Sequence, residues 1–342
     1  MPRKSNKQPT IIDVAREAGV GIMSVSRVLN HHPGLKDSTR QKVEEAMERI
    51  GYTPNDAARM LKGRRARTIG LIVPDLSDFY ASCFHAIQAV AMEHEYQTLV
   101  AATGRNAQVE QRQMDAMRLH GIAGLLLVGS GAESASLKRL LQAGIPLVAL
   151  DRPLAVETDS VLVENRQGAA EAVRHLISHG HTRIACVGFD SGSFTVRERM
   201  EGYRDAMRAA GLEPLVAGDV NSEEKMESLV ADWRNNSQHP TALFSVKRIT
   251  SVQLLRALHR NLMRVPEEMA VAGFDDFELA EVLGTPLTVV RQAPQRVAKT
   301  AAELLFRRID APPTVQEESF PTEQICLPVE LVLRGSCGCN GR

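Results

Sequence analysis

Two cysteines one residue apart, Cys337 and Cys339, form the densest group of metal- or redox-capable atoms in the chain, within a glycine-rich tail from Gly335 to Gly341. A Cys-x-Cys pair offers two soft thiolates, but a closed zinc site takes four ligands and no histidine neighbours this pair in the sequence. Two thiols alone make an incomplete site, so no metal and no cofactor is expected. Cys83, Cys186 and Cys326 stand singly in apolar stretches and read as small buried hydrophobes. Catalytic signatures are missing: there is no Ser/His/Asp order with a nucleophile elbow, no His-Glu-x-x-His and no Walker-type loop. Gly129-Ser130-Gly131 follows an apolar run but is too short for a dinucleotide fingerprint. An enzyme is not expected.

Charge is the second chemical signal. The 342 residues carry no net charge, yet residues 1–67 hold 14 Lys/Arg against 7 Asp/Glu, and the remainder compensates. A basic end on an acidic body suits a polyanionic partner for that end alone, although a solvated basic tail gives the same count. Hydrophobic residues at 44% and charged residues at 24% describe an ordinary globular composition large enough for a core without staples. No stretch reaches the ~20 apolar residues of a membrane span. The opening Met1-Pro-Arg-Lys-Ser-Asn-Lys7 has no apolar run after its charges. The expectation is therefore a cytoplasmic, reduced protein with no membrane partner.

The elements that must position these charges change character along the chain. Residues 10–63 read as helices only. Thr10-Ile-Ile-Asp13 has the form of a capping box, apolar residues follow at helical spacing, and Gly19 ends the helix. Val25, Val28 and Leu29 mark a second short helix. Ser38-Thr-Arg-Gln41 is a candidate cap for a third, whose apolar face is Val43, Ala46, Met47 and Ile50, with Gly51 at its end. Pro54 opens a short segment to Leu61, followed by the basic Lys62-Gly-Arg-Arg-Ala-Arg67. So short a helix is marginal alone and should order only when something packs on it.

From Thr68 onward, continuous apolar runs alternate with helical stretches, the pattern of parallel βαβ units. One series runs to Leu150, and a second starts after Val161-Leu-Val163. Two α/β lobes in tandem imply a cleft between them, because such sheets bind ligands at the carboxyl ends of their strands.

Residues 10–64 closely resemble the lactose-repressor (LacI) family. The matching strings are Thr10-Ile-Ile-Asp-Val-Ala-Arg-Glu-Ala-Gly-Val20, Ser24-Val-Ser-Arg-Val-Leu-Asn30, Thr39-Arg-Gln-Lys-Val43 and Gly51-Tyr-Thr-Pro-Asn55. The resemblance continues through Gly144-Ile-Pro, Asp151-Arg-Pro, Gly180-His-Thr-Arg-Ile, Pro240-Thr-Ala, Val265-Pro and Ala272-Gly-Phe-Asp-Asp276. Met23 and the Gly51–Asn55 string also resemble gluconate-type members. The family implies a small all-α helix-turn-helix domain, residues 8–54, and a hinge helix and linker, 55–67. It also implies a two-lobed α/β core of the type I periplasmic-binding-protein kind with parallel sheets, 68–342. The N-lobe would take about 68–163 and 293–325, and the C-lobe about 164–292 and 326–342.

By family position, Ile22, Met23 and Arg27 are the base readers. A recognition helix points such residues into a major groove about 12 Å wide. Arg27 suits a bidentate contact to guanine, while Ile22 and Met23 would read thymine methyls and shape; both could instead be core. Thr10, Ser24, Ser26, Asn30, Thr39, Tyr52 and Asn55 are candidate phosphate contacts, though each alone could be a cap or a surface polar residue. Leu61 holds the position of the hinge leucine that wedges into the minor groove at the centre of a palindrome.

For the small-molecule effector, the positions carried over are Phe79, Tyr80, Asp151, Glu164, Arg199, Lys247, Asp275 and Gln292. Two departures matter. The family usually has Asn-Asp where this chain has Lys247-Arg248, and often an aromatic where it has Val220 after Gly218-Asp219. Arg199 and Lys247 near one another would favour an anionic effector such as a sugar acid or sugar phosphate. If Lys247 pairs with Asp275 or Glu164 instead, the cleft is neutral. The expected function is a transcriptional regulator, a repressor, that binds palindromic double-stranded operator DNA. A homodimer is expected, because the lactose repressor's tetramerising helix has no counterpart before Arg342. The alternative is a cytoplasmic small-molecule-binding protein related to solute-binding transport components.

Overall fold

The computed structural model describes residues 9–29, 34–52, 66–131, 134–189, 192–311 and 321–339. The chain divides into two compact units, Met1–Ala66 and Arg67–Arg342.

The first unit contains α1 (Ile11–Ala18), α2 (Ile22–Leu29) and α3 (Asp37–Ile50). The capping box at Thr10 forms: its backbone N–H donates to Asp13 Oδ2 at 2.9 Å and its hydroxyl donates to the same oxygen at 2.7 Å. Gly19 and Gly51 end α1 and α3, as expected. The Ser38–Gln41 cap does not form. Helix α3 starts earlier, with Lys36 at the N-cap position and Asp37, not Ser38, first in the helix. An acid in the first turn interacts favourably with the exposed N–H groups there, so no hydroxyl cap is needed. Val14, Val25, Val28, Val43 and Ala46 make the small core.

The second unit carries two six-stranded sheets. In chain order its elements begin with β1 (Thr68–Val73), α4 (Asp78–Glu93), β2 (Gln97–Ala102), α5 (Ala107–Leu119) and β3 (Gly124–Leu127). They continue with α6 (Ala135–Gln142), β4 (Leu147–Leu150), β5 (Asp159–Val163) and α7 (Asn165–Ser178). Next come β6 (Ile184–Val187), α8 (Phe194–Ala209), β7 (Leu215–Ala217), α9 (Glu223–Arg234), β8 (Ala242–Ser245) and α10 (Arg248–Arg260). Last are β9 (Ala270–Phe274), β10 (Thr288–Arg291), α11 (Pro294–Asp310), β11 (Gln324–Leu327) and β12 (Glu330–Val332).

The first sheet has the order β11-β5-β4-β3-β1-β2 and is parallel throughout. The second has the order β12-β10-β9-β8-β6-β7 and is parallel except at β12, which pairs antiparallel with β10. The chain passes between the lobes at residue 164, at 292–293 and at 328–329, so the last crossing falls a few residues beyond the expected 325/326 division. Its direction explains the antiparallel edge. Strand carboxyl ends of both sheets face the space between the lobes, so a strand that enters the second lobe from that space must run against its neighbours.

The central strands are the continuous apolar runs of the sequence, and β3, β4, β6, β8 and β9 are buried at every residue. Each sheet is covered on both faces. Helices α4 and α11 pack one face of the first sheet, through Cys83, Ile87, Val297, Ala301 and Leu305. Fully burying one such aliphatic side chain contributes about 1.5–3 kcal/mol. Cys83 and Cys186 are buried, but Cys326 is exposed. It lies on the edge strand β11, where Ile325 and Leu327 on the other face pack against the core. No helix among the described residues is long and apolar enough to cross a membrane.

Candidate ligand cleft and nucleic-acid interface

In the first unit, α2 turns Val25 and Val28 inward. Its opposite edge presents Ile22, 49% exposed, Met23, 72% exposed, and Arg27, also exposed. These residues are therefore not core. Arg27 makes no hydrogen bond or ion pair among the described residues, whereas Arg16 and Arg49 pair with Asp13 and Glu17. An unbonded guanidinium beside two exposed apolar side chains at a helix start suits a base edge and a thymine methyl. Ser24 and Ser26 flank this edge half-buried, Thr39 stands half-buried in the first turn of α3, and Tyr52 packs against the small core. Thr10 is committed to its cap. Asn30, Asn55 and Leu61, with most of the 55–67 hinge, lie outside the described residues.

In the second unit, a cleft of about 660 Å³ opens between the lobes. Seven of the eight positions carried over for an effector line it: Phe79, Tyr80, Asp151, Arg199, Lys247, Asp275 and Gln292. Glu164 does not. It sits at the N-cap of α7, where its backbone N–H donates to the Leu327 carbonyl at 3.0 Å, on the crossing between lobes.

The cleft has matching halves. Asp151 follows β4 and Asp275 follows β9, and both have positive φ, 66° and 74°. In the first lobe the Tyr80 hydroxyl donates to Asp151 Oδ2 at 2.9 Å, and burial together with the Asp151 charge holds that phenol neutral. In the second lobe Arg199 Nη1 donates to Asp275 Oδ2 at 3.0 Å and to the Val246 carbonyl at 2.9 Å, and its Nε donates to Asn165 Oδ1 at 2.8 Å. The guanidinium also lies 3.7 Å above the Phe274 ring. Gln292 Nε2 donates to Asp275 Oδ1 at 2.6 Å. Arg199 thus holds the site's frame together.

The remaining charges are nearly all matched. Arg105 pairs with Asp75 at 3.0 Å and Arg152 with Asp151 at 3.5 Å. Arg248 pairs with Asp78 at 3.5 Å, from one lobe to the other. Asp276 accepts from Arg334 and Arg291. Burial pushes its carboxyl up, but those hydrogen bonds more than offset this and keep it below its ordinary range. Lys247 is the unmatched cation: its ammonium has no hydrogen bond or ion pair among the described residues, and of the lining carboxylates Glu278 has none either. Burial lowers the Lys247 pKa, and the positive charges of Arg105 and Arg199 lower it further, with Asp275 opposing. Two buried polar atoms of the lining, Gln292 Oε1 and Arg152 Nε, also find no partner among the described residues.

Sequence reasoning missed Asp75, Arg105, Arg152 and Phe277, and noted Arg248 only as a departure from the family; all five line the cleft. Each comes within a few residues of a strand's carboxyl end, a rule that would have found them. It also missed the surroundings of the thiols. Histidines absent from the sequence neighbourhood of Cys337 and Cys339 are supplied by the fold, from the end of α7.

A three-helix unit with a reading edge, in one chain with a two-lobed unit that encloses a ligand cleft, defines a ligand-responsive DNA-binding regulator. Residues 10–55 match the family model for bacterial regulatory proteins of the lacI family, and residues 173–337 match that of a periplasmic binding protein-like domain. The HTH-type transcriptional regulator DegA of Bacillus subtilis (strain 168) is 32% identical over 337 residues, 96% of this chain and 97% of the relative. The regulator CelR of Thermobifida fusca is 32% identical over 343 residues, 96% of this chain and 98% of the relative. A solved CelR–cellobiose complex superposes with a TM-score of 0.69 at 28% identity, covering 96% of this chain and all of that one. The lac repressor dimer bound to operator and the anti-inducer ONPF has a TM-score of 0.82 at 24% identity, covering 97% and 99%, and shows the shared fold. The chain belongs to the LacI family of transcriptional regulators.

Proposed function

We propose that this regulator is a repressor that binds a palindromic operator as a homodimer in the cytoplasm. Its effector is an anionic sugar derivative, a sugar acid or sugar phosphate, held between the lobes. The observation that carries the effector class is Lys247. In a cleft whose other cations each have a carboxylate partner, it is half-buried without one, and Arg105 and Arg199 repel it. A bound carboxylate or phosphate would supply the missing charge. Gln292 Oε1 and Arg152 Nε would complete their hydrogen bonding on sugar hydroxyls, and the faces of Phe79 and Phe277 suit the apolar side of the ring. The CelR complex with cellobiose supports a carbohydrate in this cleft. Lys247 replaces the neutral hydrogen-bonding residue usual in the family, which favours an acidic ligand over a neutral one. We read the cleft as a binding site, as the regulator relatives support. Effector-driven change in the angle between lobes would reach the DNA-binding unit through the 55–67 segment.

A thermal-shift screen of the full chain against sugars, sugar acids and sugar phosphates tests the effector class. Acidic members should raise Tm where their neutral parents do not, and Lys247→Ala should remove the response while operator binding persists. Equal shifts from neutral sugars, or an unchanged response in Lys247→Ala, would eliminate the anionic reading. The DNA arm is tested by salt: operator affinity should fall steeply from low to moderate ionic strength.

A further inference from the structure

Helix α7 ends with His175 in its last turn and His179 at its C-cap, four residues apart and so on one helix face. The C-terminal segment returns to this end of the helix after β12. His175 Nε2 lies 3.2 Å from Cys337 Sγ and 3.3 Å from Cys339 Sγ. His179 Nε2 lies 3.3 Å from Cys339 Sγ. One ligand atom from each of His175, Cys337 and Cys339 falls within 4.8 Å of the other two. We propose that His175, His179, Cys337 and Cys339 form a structural zinc site that clips the C-terminal segment onto α7.

The geometry favours a metal over a chance thiol–imidazole contact. In a tetrahedral site with Zn–S of about 2.3 Å and Zn–N of about 2.0 Å, sulfur and nitrogen ligands stand roughly 3.5 Å apart. The three sulfur–nitrogen distances are close to that edge length. His175 sits at the centre of the trio, touching both sulfurs. His179 is exposed and of the two sulfurs touches only that of Cys339, so its side chain must turn toward the trio to serve as the fourth ligand. Between the cysteines Gly338 has φ of 87°, a turn that sets both sulfurs toward the same helix end and that a side chain would strain.

The donor set is two thiols and two imidazoles, which selects zinc over the harder magnesium and calcium. Around it are the supports such sites use. Cys337 is fully buried, and Thr288 Oγ1 lies 3.1 Å from its sulfur. The cluster also lies at the C-terminal, negative end of the α7 dipole, which favours a cation. Binding the dication releases the thiol protons to solvent, so two thiolates and one zinc leave the site neutral.

The clip has a definite structural consequence. The same segment carries Arg334, which donates to both carboxylate oxygens of Asp276, and Ser336, whose hydroxyl donates to the Val271 carbonyl at 2.6 Å. Asp276 lines the cleft. A metal that pins Cys337 and Cys339 therefore steadies one wall of the ligand site. The proposal does not depend on which ligand that site takes.

The test uses the full chain, purified reduced and without chelator. Elemental analysis should find close to one zinc per chain after incubation with Zn2+ and gel filtration. Cobalt added to chelator-stripped protein should give the thiolate charge-transfer band and the visible absorption of a tetrahedral site. Because Cys337 is in the core and its variants could fail to fold, the deciding variants are Cys339→Ser and His179→Gln. Cys339→Ser should weaken zinc binding by more than the roughly 10–100-fold that loss of an outer-shell partner costs, and His179→Gln should alter the cobalt spectrum. Chelation should lower Tm in the wild type and leave Cys339→Ser unmoved. Absence of stoichiometric zinc together with absence of the cobalt–thiolate band overturns the site, as does a Cys339→Ser variant that keeps wild-type zinc affinity.

Discussion

The guanidinium of Arg199 binds the Asp275 carboxylate at 3.0 Å while lying 3.7 Å above the Phe274 ring. Arg199 was a candidate ligand contact, and the structure gives it a prior role as the strut of the second lobe's half of the cleft. Its side chain is 4% exposed against 24% for Asp275, so the carboxylate keeps more of its surface open to the cleft than the arginine does. Only a partner left behind without its counter-charge carries the full desolvation cost.

Arg199→Met should therefore destabilise the second unit by about 3–5 kcal/mol, the cost of breaking a buried pair from one side. Urea unfolding of the ligand-free chain measures it. Adding Asp275→Asn should recover part of the loss, and strict additivity of the two changes would contradict the coupling.

Lys247→Met should act in the opposite direction. Removing an unpaired half-buried cation should raise the ligand-free Tm by a few degrees, an effect on the order of 0.5–2 kcal/mol, while the response to acidic ligands is lost. The pH sign is definite. The folded pKa is lowered, chiefly by burial, so the unfolded chain holds this proton more tightly. Ligand-free stability should rise as pH rises through the folded value. An anion beside Lys247 favours its charged form, so acidic-ligand affinity should be full below the ligand-free pKa and fall above it. A titration series that shows the same pH profile in wild type and Lys247→Met would rule the residue out.

Arg27→Ala should cost ~1–3 kcal/mol of discrimination at one base pair of each half-site and leave thermal stability unchanged. A uniform loss across operator sequences would make Arg27 a phosphate contact instead. Met23→Ala should likewise leave folding intact, because the side chain is exposed, and should weaken operator binding in a sequence-dependent way.

Gly202→Ala tests the packing that sets the cleft's floor. A Cβ at residue 202 would stand 2.0 Å from the Arg166 carbonyl oxygen and 3.0 Å from Ala169 Cβ, because α8 presses directly on α7 there. Backbone cannot rotate away, so the helices must separate, at a cost of about 1–3 kcal/mol. Since Asn165 and Arg199 join these same helices, ligand affinity should fall along with Tm.

The elements that local sequence determines were legible early. The helix start at Thr10 rests on a side chain and backbone three residues apart, and the central strands are short apolar runs buried on both faces. Each is decided by neighbours in the chain. Helix α11 and strands β10, β11 and β12 were not resolved as elements, because the return of the chain through both lobes has no local period that announces it. Cys326 was misread for a related reason: an apolar neighbourhood does not say which face of an edge strand meets water.

The strings of the first helices, with their spacing, determined by themselves that this chain carries a DNA-reading unit, because base contact needs particular side chains on a particular helix face. The cleft's chemistry was decided only by tertiary structure. Which carboxylate each arginine meets, and that Lys247 meets none, depends on loops from two sheets converging. The thiols at 337 and 339 show the same limit most plainly. Their histidine neighbours stand more than 150 positions earlier in the sequence, and only the packing of the last segment against α7 brings the four side chains together.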